Sequence, residues 1–274
     1  MGDPRPIGVF DSGVGGLTVA RAIMEDLPRE SMVYFADTAR YPYGPRSLAE
    51  IRGFAVEIAR HLMERDIKLL VVACNSATAA ALDDVAEAVP VPVIGVIEPA
   101  VRAAVRATRN RRVGLIGTEA TVSSGAYQRA LAGVDPDGSI ELMSQACPQF
   151  VEFVERGDTT SRELLGLAES YLTLLRVAGV DTLILGCTHY PLLRGVLRHV
   201  MGDEVLLVSS DDETAKEVYQ ALTSAGALRE DGRPEHVFES SGDPNRFAAL
   251  VTMFLAPTFQ ELSHVPLSRT GSPR

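Results

Sequence analysis

The sequence predicts an α/β fold with two pseudo-symmetric lobes, mainly parallel sheets and a cleft between the lobes. One observation is that short, continuous apolar runs alternate with segments of helical period along the chain. Runs this continuous are typical of strands buried on both faces, and their alternation with helices is typical of parallel sheets. The second observation is a faint duplication, in which a cysteine follows a buried strand in each half of the chain.

The individual elements follow from the apolar runs and from the residues that cap helices. The runs that predict strands are residues 7–10, 69–73, 91–97, 113–116, 183–185 and 205–208. A Ser or Thr followed three residues later by Glu predicts a capping box and a helix start at three pairs: Ser47 with Glu50, Thr160 with Glu163, and Ser210 with Glu213. Asp243 followed by Pro244 predicts the start of the last helix.

The duplication predicts how the chain divides. In the first half, Asp11 ends one predicted strand and Cys74 follows another, while Thr118 and Cys187 stand in similar places in the second half. The carboxyl ends of parallel strands meet at one edge of a sheet, where such folds bind ligands. We therefore assign residues 1–97 and 208–257 to lobe one, residues 98–207 to lobe two, and residues 258–274 to a loose C-terminal tail. The final strands, near residues 205 and 237, are expected to return to lobe one.

Composition argues against several classes of protein. Of the 274 residues, 26 are Lys or Arg and 36 are Asp or Glu, and the net charge of -10 disfavours nucleic acid as a partner. No apolar run approaches the roughly 20 residues that cross a bilayer, and the first residues lack the apolar stretch of a secretory signal. We therefore expect no membrane association and a cytoplasmic location. The three scattered cysteines do not suggest a disulfide framework.

Cys74 and Cys187 are the candidate reactive groups. Each is predicted where a strand gives way to a helix, and the helix dipole and backbone N–H groups there stabilise a thiolate. Two thiols on facing lobes suit one reaction in particular, in which one sulfur removes a proton from carbon and the other delivers a proton to the opposite face. Asp11 and His189 are the candidate helpers of these thiols. Cys147 lacks this setting, so we interpret it as a structural residue.

Two further motifs leave alternatives open. Cys187 and His189 have the spacing of half a zinc site, but no second ligand pair with suitable spacing follows, so we predict no metal. Residues 13–18 form a glycine-rich loop between a strand and a helix, which either makes a tight turn or holds an anion with its backbone amides. Thr18 occupies the third glycine position of the dinucleotide-binding motif, which argues against a dinucleotide cofactor.

Together these motifs resemble those of the glutamate racemases, in the cofactor-independent aspartate/glutamate racemase superfamily. The matching segments run nearly from end to end of the chain: residues 8–17 (GVFDSGVGGL), 37–44 (DTARYPYG), 73–77 (ACNSA), 117–121, 147–155 and 185–192 (LGCTHYPL). The resemblance implies interconversion of L- and D-glutamate, the supply of D-glutamate for peptidoglycan, and no requirement for pyridoxal phosphate or a metal.

The resemblance also implies roles for individual residues. Cys74 would handle the proton of D-glutamate and Cys187 that of L-glutamate, with Asp11 and His189 as their respective helpers and Glu155 as a further polar neighbour. The positions that match the family's substrate-binding residues are Ser12, Tyr43, Gly44, Asn75, Ser76, Thr118, Thr121 and Thr188. The serine at position 76 departs from the pattern, because many relatives have Thr there; the hydroxyl is kept and a methyl group is lost.

Other functions and partners stay open on sequence alone. A racemase of the same fold acting on aspartate or a hydantoin would carry the same two cysteines, and a glutamate sensor or an inhibitor of a partner enzyme would bind without turnover. The resemblance implies a homodimer, because the family usually forms dimers. Some glutamate racemases are reported to restrain DNA gyrase, but no feature of this sequence locates such a surface.

Overall fold

Parallel strands form two sheets within residues 2–255, which are the residues that the computed structural model describes. In chain order the strands are β1 (Ile7–Asp11), β2 (Met32–Ala36), β3 (Leu69–Val72), β4 (Val93–Gly95), β5 (Arg112–Gly117), β6 (Glu141–Ala146), β7 (Thr182–Gly186), β8 (Leu206–Ser209) and β9 (His236–Ser240). The α/β fold class predicted from the sequence is therefore confirmed.

Helices connect most of the successive strands. In chain order they are α1 (Leu17–Asp26), α2 (Leu48–Met63), α3 (Asn75–Ala88), α4 (Ile97–Ala107), α5 (Glu119–Ser123), α6 (Ala126–Val134), α7 (Phe150–Glu155), α8 (Arg162–Val177), α9 (Arg194–Met201), α10 (Ser210–Ser224) and α11 (Pro244–Leu255). A short 3-10 helix, Tyr190–Leu193, precedes α9. The last helix begins at Pro244, as predicted. No helix within the described part of the chain combines the length and apolar composition that a membrane crossing requires.

The other predicted helix starts are confirmed in part. Ser47 forms the predicted capping box, in which its hydroxyl accepts a hydrogen bond from the Glu50 N–H and the Glu50 carboxylate accepts one from the Ser47 N–H. The prediction for Thr160 is wrong by one residue, because Ser161 is the residue whose hydroxyl caps α8. Ser210 is the first residue of α10 rather than its cap, and no side chain caps that helix.

The two sheets share one strand order. The first sheet runs β4-β3-β1-β2-β9 and the second runs β6-β5-β7-β8, and all of these pairings are parallel. The strands β1 to β4 therefore correspond to β5 to β8, and the duplication seen in the sequence is this repeated topology. Cys74 follows β3 and Cys187 follows the equivalent strand, β7. Both cysteines lie next to the point where the strand order reverses, which is where open α/β sheets bind ligands.

Three strands differ from the sequence-based expectation. The predicted set omits β2, although its run MVYFA is fully buried and as apolar as the others, and it omits β6, an edge strand whose partly exposed residues ELMSQA carry little apolar signal. The two final strands belong to different sheets. As expected, β9 pairs with β2 in the first sheet. The expectation for the strand near residue 205 is wrong, because β8 pairs with β7 and extends the second sheet. The lobe boundaries stay a prediction, and the tail at 258–274 lies outside the described residues.

A shared apolar core joins the two sheets. The largest cluster of buried apolar side chains includes Leu17 of α1 and Val71 of β3 together with Leu185 of β7 and Val218 of α10. α10 packs against both α1 and α4, so it contacts helices from both halves of the chain. This continuous packing fixes the strand ends of one sheet relative to those of the other.

Candidate active site

A cavity of about 440 Å³ lies where the carboxyl ends of strands from both sheets meet. Its lining residues are Asp11, Ser12, Tyr41, Pro42, Tyr43, Gly44, Pro45, Cys74, Asn75, Ser76, Thr118, Glu119, Pro148, Gln149, Val151, Glu152, Glu155, Cys187, Thr188 and His189. The volume is in the range of small-molecule sites. The cavity brings together the residues that the sequence predicts for the site, with the exception of Thr121.

Cys74 lies at the N-cap position of α3, directly after β3. Its sulfur is 3.6 Å from the hydroxyl oxygen of Ser12. Burial and the negative charge of Asp11 raise the pKa of the Cys74 thiol far above its ordinary value. Cys74 is therefore held as a neutral thiol at neutral pH, in spite of the helix N-terminus on which it lies.

The Asp11 carboxylate is held by the glycine-rich loop. Its Oδ2 accepts hydrogen bonds from the N–H groups of Gly13 and Gly16, both at 3.1 Å. Its Oδ1 is buried and has no hydrogen-bond partner within residues 2–255. Burial raises the pKa of Asp11, against the opposing effect of the positive charge on His189. The loop amides therefore do hold an anion, but that anion is a side chain of the protein itself.

Cys187 has a basic neighbour where Cys74 has an acidic one. Nδ1 of His189 lies 3.8 Å from the Cys187 sulfur, and Nε2 of His189 lies 3.5 Å from Oε1 of Glu155. Burial alone would lower the pKa of His189, but the contacts with Cys187 and Glu155 outweigh burial and raise it to about 10. His189 is therefore an imidazolium at neutral pH, held between a sulfur atom and a carboxylate.

Gly15, in the loop between β1 and α1, is one of the residues that pack against His189. A Cβ atom at Gly15 would lie 2.4 Å from Nδ1 of His189 and 2.4 Å from Oγ1 of Thr188, closer than real Cβ atoms come to other atoms. The loop packs against the imidazole because this residue has no side chain. The Thr18 hydroxyl adds a hydrogen bond to the Thr188 carbonyl at 3.3 Å. The glycine-rich loop is thus a contact between the lobes as well as a turn.

Three hydroxyl groups form one hydrogen-bonded cluster at the cavity wall. Oγ of Ser76, on α3, lies 2.9 Å from Oγ1 of Thr118, the residue that caps α5. The Thr118 hydroxyl in turn lies 3.0 Å from that of Thr121. Thr121 is buried and is not among the lining residues, so its hydroxyl contacts those of Thr118 and Ser76 and not the cavity.

The segment that follows β2 supplies another wall. The Tyr43 hydroxyl donates a hydrogen bond to the buried carboxylate of Asp37, so this donor is already occupied. The Gly44 carbonyl accepts a hydrogen bond from the Ala120 N–H at 3.0 Å, which ties the segment to α5. Tyr43 therefore offers the cavity its ring and backbone rather than its hydroxyl.

Several residues at the site have no role in the sequence analysis. Tyr41 lines the cavity, and burial together with the charge of Glu155 raises the pKa of its hydroxyl, which stays protonated. Gln149 and Glu152 also line the cavity, and the segment 147–155, which matches the family, is the signal that points to them. Tyr127 lies outside the cavity but donates a hydrogen bond to Asn75 at 2.7 Å. No sequence motif marks Tyr127.

The third cysteine lies away from this chemistry. Cys147 is fully buried and does not line the cavity, in agreement with its interpretation as a structural residue. Its sulfur lies 3.7 Å from the Gln145 carbonyl oxygen, and burial raises its pKa. Among the described residues, no group of three or more His, Cys, Asp or Glu side chains is arranged to hold a metal ion.

Known proteins are similar to this chain in both sequence and fold. The sequence model of the Asp/Glu/Hydantoin racemase family matches residues 12–218. A glutamate racemase from Corynebacterium diphtheriae is 56% identical over 253 residues, which make up 92% of this chain and 94% of that protein.

Solved structures give the same answer. A glutamate racemase isoform from Bacillus anthracis matches with a TM-score of 0.88 at 40% identity, over 96% of this chain and 99% of that one. A glutamate racemase from Francisella tularensis in complex with D-glutamate matches with a TM-score of 0.87 at 36% identity, also over 96% of this chain and 99% of that one. This chain therefore belongs to the Asp/Glu/hydantoin racemase family of isomerases, and the three relatives named above are glutamate racemases.

Proposed function

We propose that this chain interconverts L- and D-glutamate, without a cofactor, by passing protons between two thiols and the α carbon of the substrate. The observation that carries the proposal is that Cys74 and Cys187 line one cavity from two different sheets. A single fixed base returns a proton to the face from which it was taken. Two groups on opposite faces, one a base and the other an acid, invert the configuration.

The proton balance is as follows for L-glutamate. The Cys187 thiolate takes the α proton and becomes a thiol, and the electron pair of the C–H bond stays on the α carbon. The Cys74 thiol then donates its proton to the opposite face of that carbanion and becomes a thiolate. D-glutamate takes the reverse path. Each turnover leaves the protonation states of the two sulfurs exchanged, and proton exchange with water restores them.

The groups next to the two sulfurs support these separate roles as base and acid. The positive His189 imidazolium lies 3.8 Å from the Cys187 sulfur, close enough to attract the negative charge that this sulfur carries when it acts as the base. The Asp11 carboxylate raises the pKa of Cys74 and so favours its thiol form. When D-glutamate is the substrate, the raised pKa of Asp11 makes its carboxylate a better acceptor for the Cys74 proton.

The walls of the cavity suit an amino acid with two carboxylates. Neutral donors, among them the hydroxyls of Ser12, Ser76 and Thr188, line the cavity together with the amide of Asn75. The transition state carries developing negative charge next to the α-carboxylate. Fixed dipoles stabilise such a charge more effectively than water does, because they do not have to reorient during the reaction.

Circular dichroism of L-glutamate incubated with the purified protein, with no added cofactor, tests the proposal. We expect the signal to decay to zero, because the two enantiomers have equal free energies in water. D-glutamate should decay to the same end point from the opposite sign. L-aspartate in a parallel reaction tests the substrate, and we expect its signal to persist. An undiminished glutamate signal would refute the proposal, and decay of aspartate alone would reassign the substrate.

The biological setting follows from the reaction. D-glutamate is a building block of bacterial peptidoglycan, so we propose that this chain supplies it for cell-wall synthesis. The cytoplasmic location and the homodimer stay predictions. A contact with DNA gyrase has no support among the described residues.

A further inference from the structure

Asn75 lines the cavity with an amide that is only half engaged. It is the first residue of α3, directly after Cys74, and is 3% exposed. Its Oδ1 accepts a hydrogen bond from the Tyr127 hydroxyl at 2.7 Å. Its Nδ2 is buried and has no hydrogen-bond partner among the described residues. A buried NH2 group in this state has two donors left for a ligand.

Tyr127 is held rigidly on the other side of the cleft. It lies on α6, is fully buried, and packs in an apolar cluster with Leu115 of β5 and Ile184 of β7. A Cβ atom at Gly186 would lie 3.3 Å from the Tyr127 hydroxyl oxygen, so the missing side chain at Gly186 leaves room for that hydroxyl. Burial and the charge of Cys187 raise the pKa of Tyr127, which keeps the hydroxyl protonated and able to donate.

We infer that Tyr127 is a positioning residue that fixes the Asn75 amide with its NH2 group toward the cavity, where it donates to a carboxylate oxygen of the substrate. This inference rests on the proposed function, because it takes glutamate as the ligand. The two ends of an amide have nearly the same shape, so packing alone does not choose between them. The hydrogen bond from Tyr127 does choose, since it requires the oxygen on its own side.

The opposite orientation would weaken binding. An amide turned by 180° would place Oδ1 of Asn75 against the negative carboxylate and leave no donor there. With the Tyr127 hydroxyl in place, the donor is set before the substrate arrives, which lowers the cost of binding. The contact also crosses between the lobes, from α6 to α3, so substrate binding depends on their relative position.

A double-mutant cycle tests the inference. Tyr127→Phe removes one hydroxyl and keeps the ring that packs in the core. We expect it to raise KM about tenfold for both L- and D-glutamate, with kcat changed by less than about threefold. Asn75→Ala should raise KM by at least as much. The double variant should have the KM of Asn75→Ala alone, because the Tyr127 hydroxyl acts through Asn75.

Tyr190→Phe is the matched control. Tyr190 is also fully buried, and its hydroxyl donates to the Cys147 carbonyl at 2.8 Å, so its hydrogen bond is not to a residue that lines the cavity. We expect its KM to stay within about twofold of that of the unmodified protein, with a loss of melting temperature similar to that of Tyr127→Phe. A purely structural role for Tyr127 would instead give the two variants the same KM.

The outcomes separate this inference from the proposed function. Suppose that the unmodified protein racemises glutamate. The positioning role is then wrong, and the function stands, if Tyr127→Phe leaves KM unchanged. The same conclusion follows if Tyr127→Phe raises KM by the same factor with Asn75 present as in the Asn75→Ala background. If the unmodified protein does not racemise glutamate, the proposed function fails. The same four variants are then titrated with D-glutamate by calorimetry, and a non-additive loss of affinity for Tyr127→Phe and Asn75→Ala would still support the positioning role. Should Tyr127→Phe not fold, the side-chain NH2 signals of Asn75 in a ¹⁵N-labelled sample decide, since signals that do not move on addition of D-glutamate overturn the inference.

Discussion

The two walls of the cavity repeat a topology but differ in charge. Cys74 and Cys187 follow equivalent strands, β3 and β7, at the carboxyl ends of two parallel sheets. Cys74 lies near the carboxylate of Asp11, whereas Cys187 lies beside the imidazolium of His189. Equivalent backbone positions therefore carry one sulfur near a negative group, which favours its thiol form, and one sulfur beside a positive group. In the proposed mechanism, the environment of each sulfur, and not the fold alone, divides the roles of acid and base.

Steady-state values of kcat/KM do not reveal this difference between the surroundings of the two sulfurs. The equilibrium constant between two enantiomers in water is one, so kcat/KM has the same value in both directions whichever protonation state the free protein prefers. The asymmetry becomes visible only when one half of the reaction is removed. Substitutions on one wall at a time separate the contributions of the two walls.

Replacing either sulfur should have the largest effect. Cys74→Ala and Cys187→Ala should each lower racemisation by at least about 10²-fold, because each removes a general acid or base. In deuterated water, Cys74→Ala should still exchange the α hydrogen of L-glutamate and Cys187→Ala that of D-glutamate, as followed by proton NMR. Cys147→Ala is the control, since this buried thiol lies outside the cavity, and it should racemise normally. Exchange of both enantiomers by a single-thiol variant would contradict the assignment of one sulfur to each face.

Removing the charge beside Cys187 should have a smaller effect. His189→Asn should lower kcat/KM about 10- to 100-fold, because the Cys187 thiolate loses its neighbouring imidazolium. Combined with Cys74→Ala, the same change should slow exchange of L-glutamate, while Asp11→Asn combined with Cys187→Ala should slow exchange of D-glutamate. His199→Asn, on the exposed side of α9, is the control for loss of a histidine. His189→Asn is also combined with Cys187→Ala. If it slows exchange of D-glutamate there as much as it slows exchange of L-glutamate in Cys74→Ala, the two walls do not act separately.

The charge on His189 should also appear in the pH dependence of stability. Its pKa is about 10 in the folded protein and ~6.5 in an unfolded chain, so the folded state binds the proton more tightly. The resulting stabilisation is complete below pH ~6.5 and is lost as pH rises through about 10, with a slope of at most ~1.4 kcal/mol per pH unit. Urea unfolding of the unmodified protein and of His189→Asn at several pH values measures it. Identical slopes for the two proteins would show that His189 is not the group responsible.

The contact between the glycine-rich loop and His189 should give the smallest of these effects. Gly15→Ala places a methyl group against the imidazole and should lower kcat/KM about fivefold by shifting His189 away from Cys187. Gly53→Ala on α2, where a Cβ atom meets nothing within 4 Å, should leave the activity intact and stabilise the protein by about 0.5–1 kcal/mol. Full activity in Gly15→Ala would mean that the loop backbone shifts to make room for the methyl group and the imidazole stays in place.

The sequence predicts those features of the site that depend on strand ends. Asp11, Cys74 and Cys187 each end or follow a buried strand, and parallel topology brings such positions to one edge of a sheet. Contacts between the lobes carry no comparable local signal. The approach of Gly15 to His189 and the hydrogen bond from Tyr127 to Asn75 depend on how the two sheets pack, which no periodicity encodes.

The errors in the predicted elements have similar physical causes. The sequence predicts the cap of α8 at Thr160, but the neighbouring residue, Ser161, also carries a hydroxyl. The path of the backbone decides between them, and it places Ser161 at the cap. The edge strand β6 is partly exposed, so it lacks the continuous apolar run that marks buried strands. The sequence predicts that both final strands return to the first lobe, which is correct for β9 and wrong for β8, because the composition of β8 does not distinguish that place from its place beside β7.

The place of β9 has a consequence for how the protein is made. It pairs with β2 across about 200 residues of chain, and the whole second sheet lies between these two strands in the sequence. During synthesis, the hydrogen-bonding edge of β2 therefore emerges from the ribosome long before its partner. An apolar, unpaired edge of this kind is prone to pair with other chains. The nascent chain therefore carries this unpaired edge throughout the interval between translation of β2 and translation of β9.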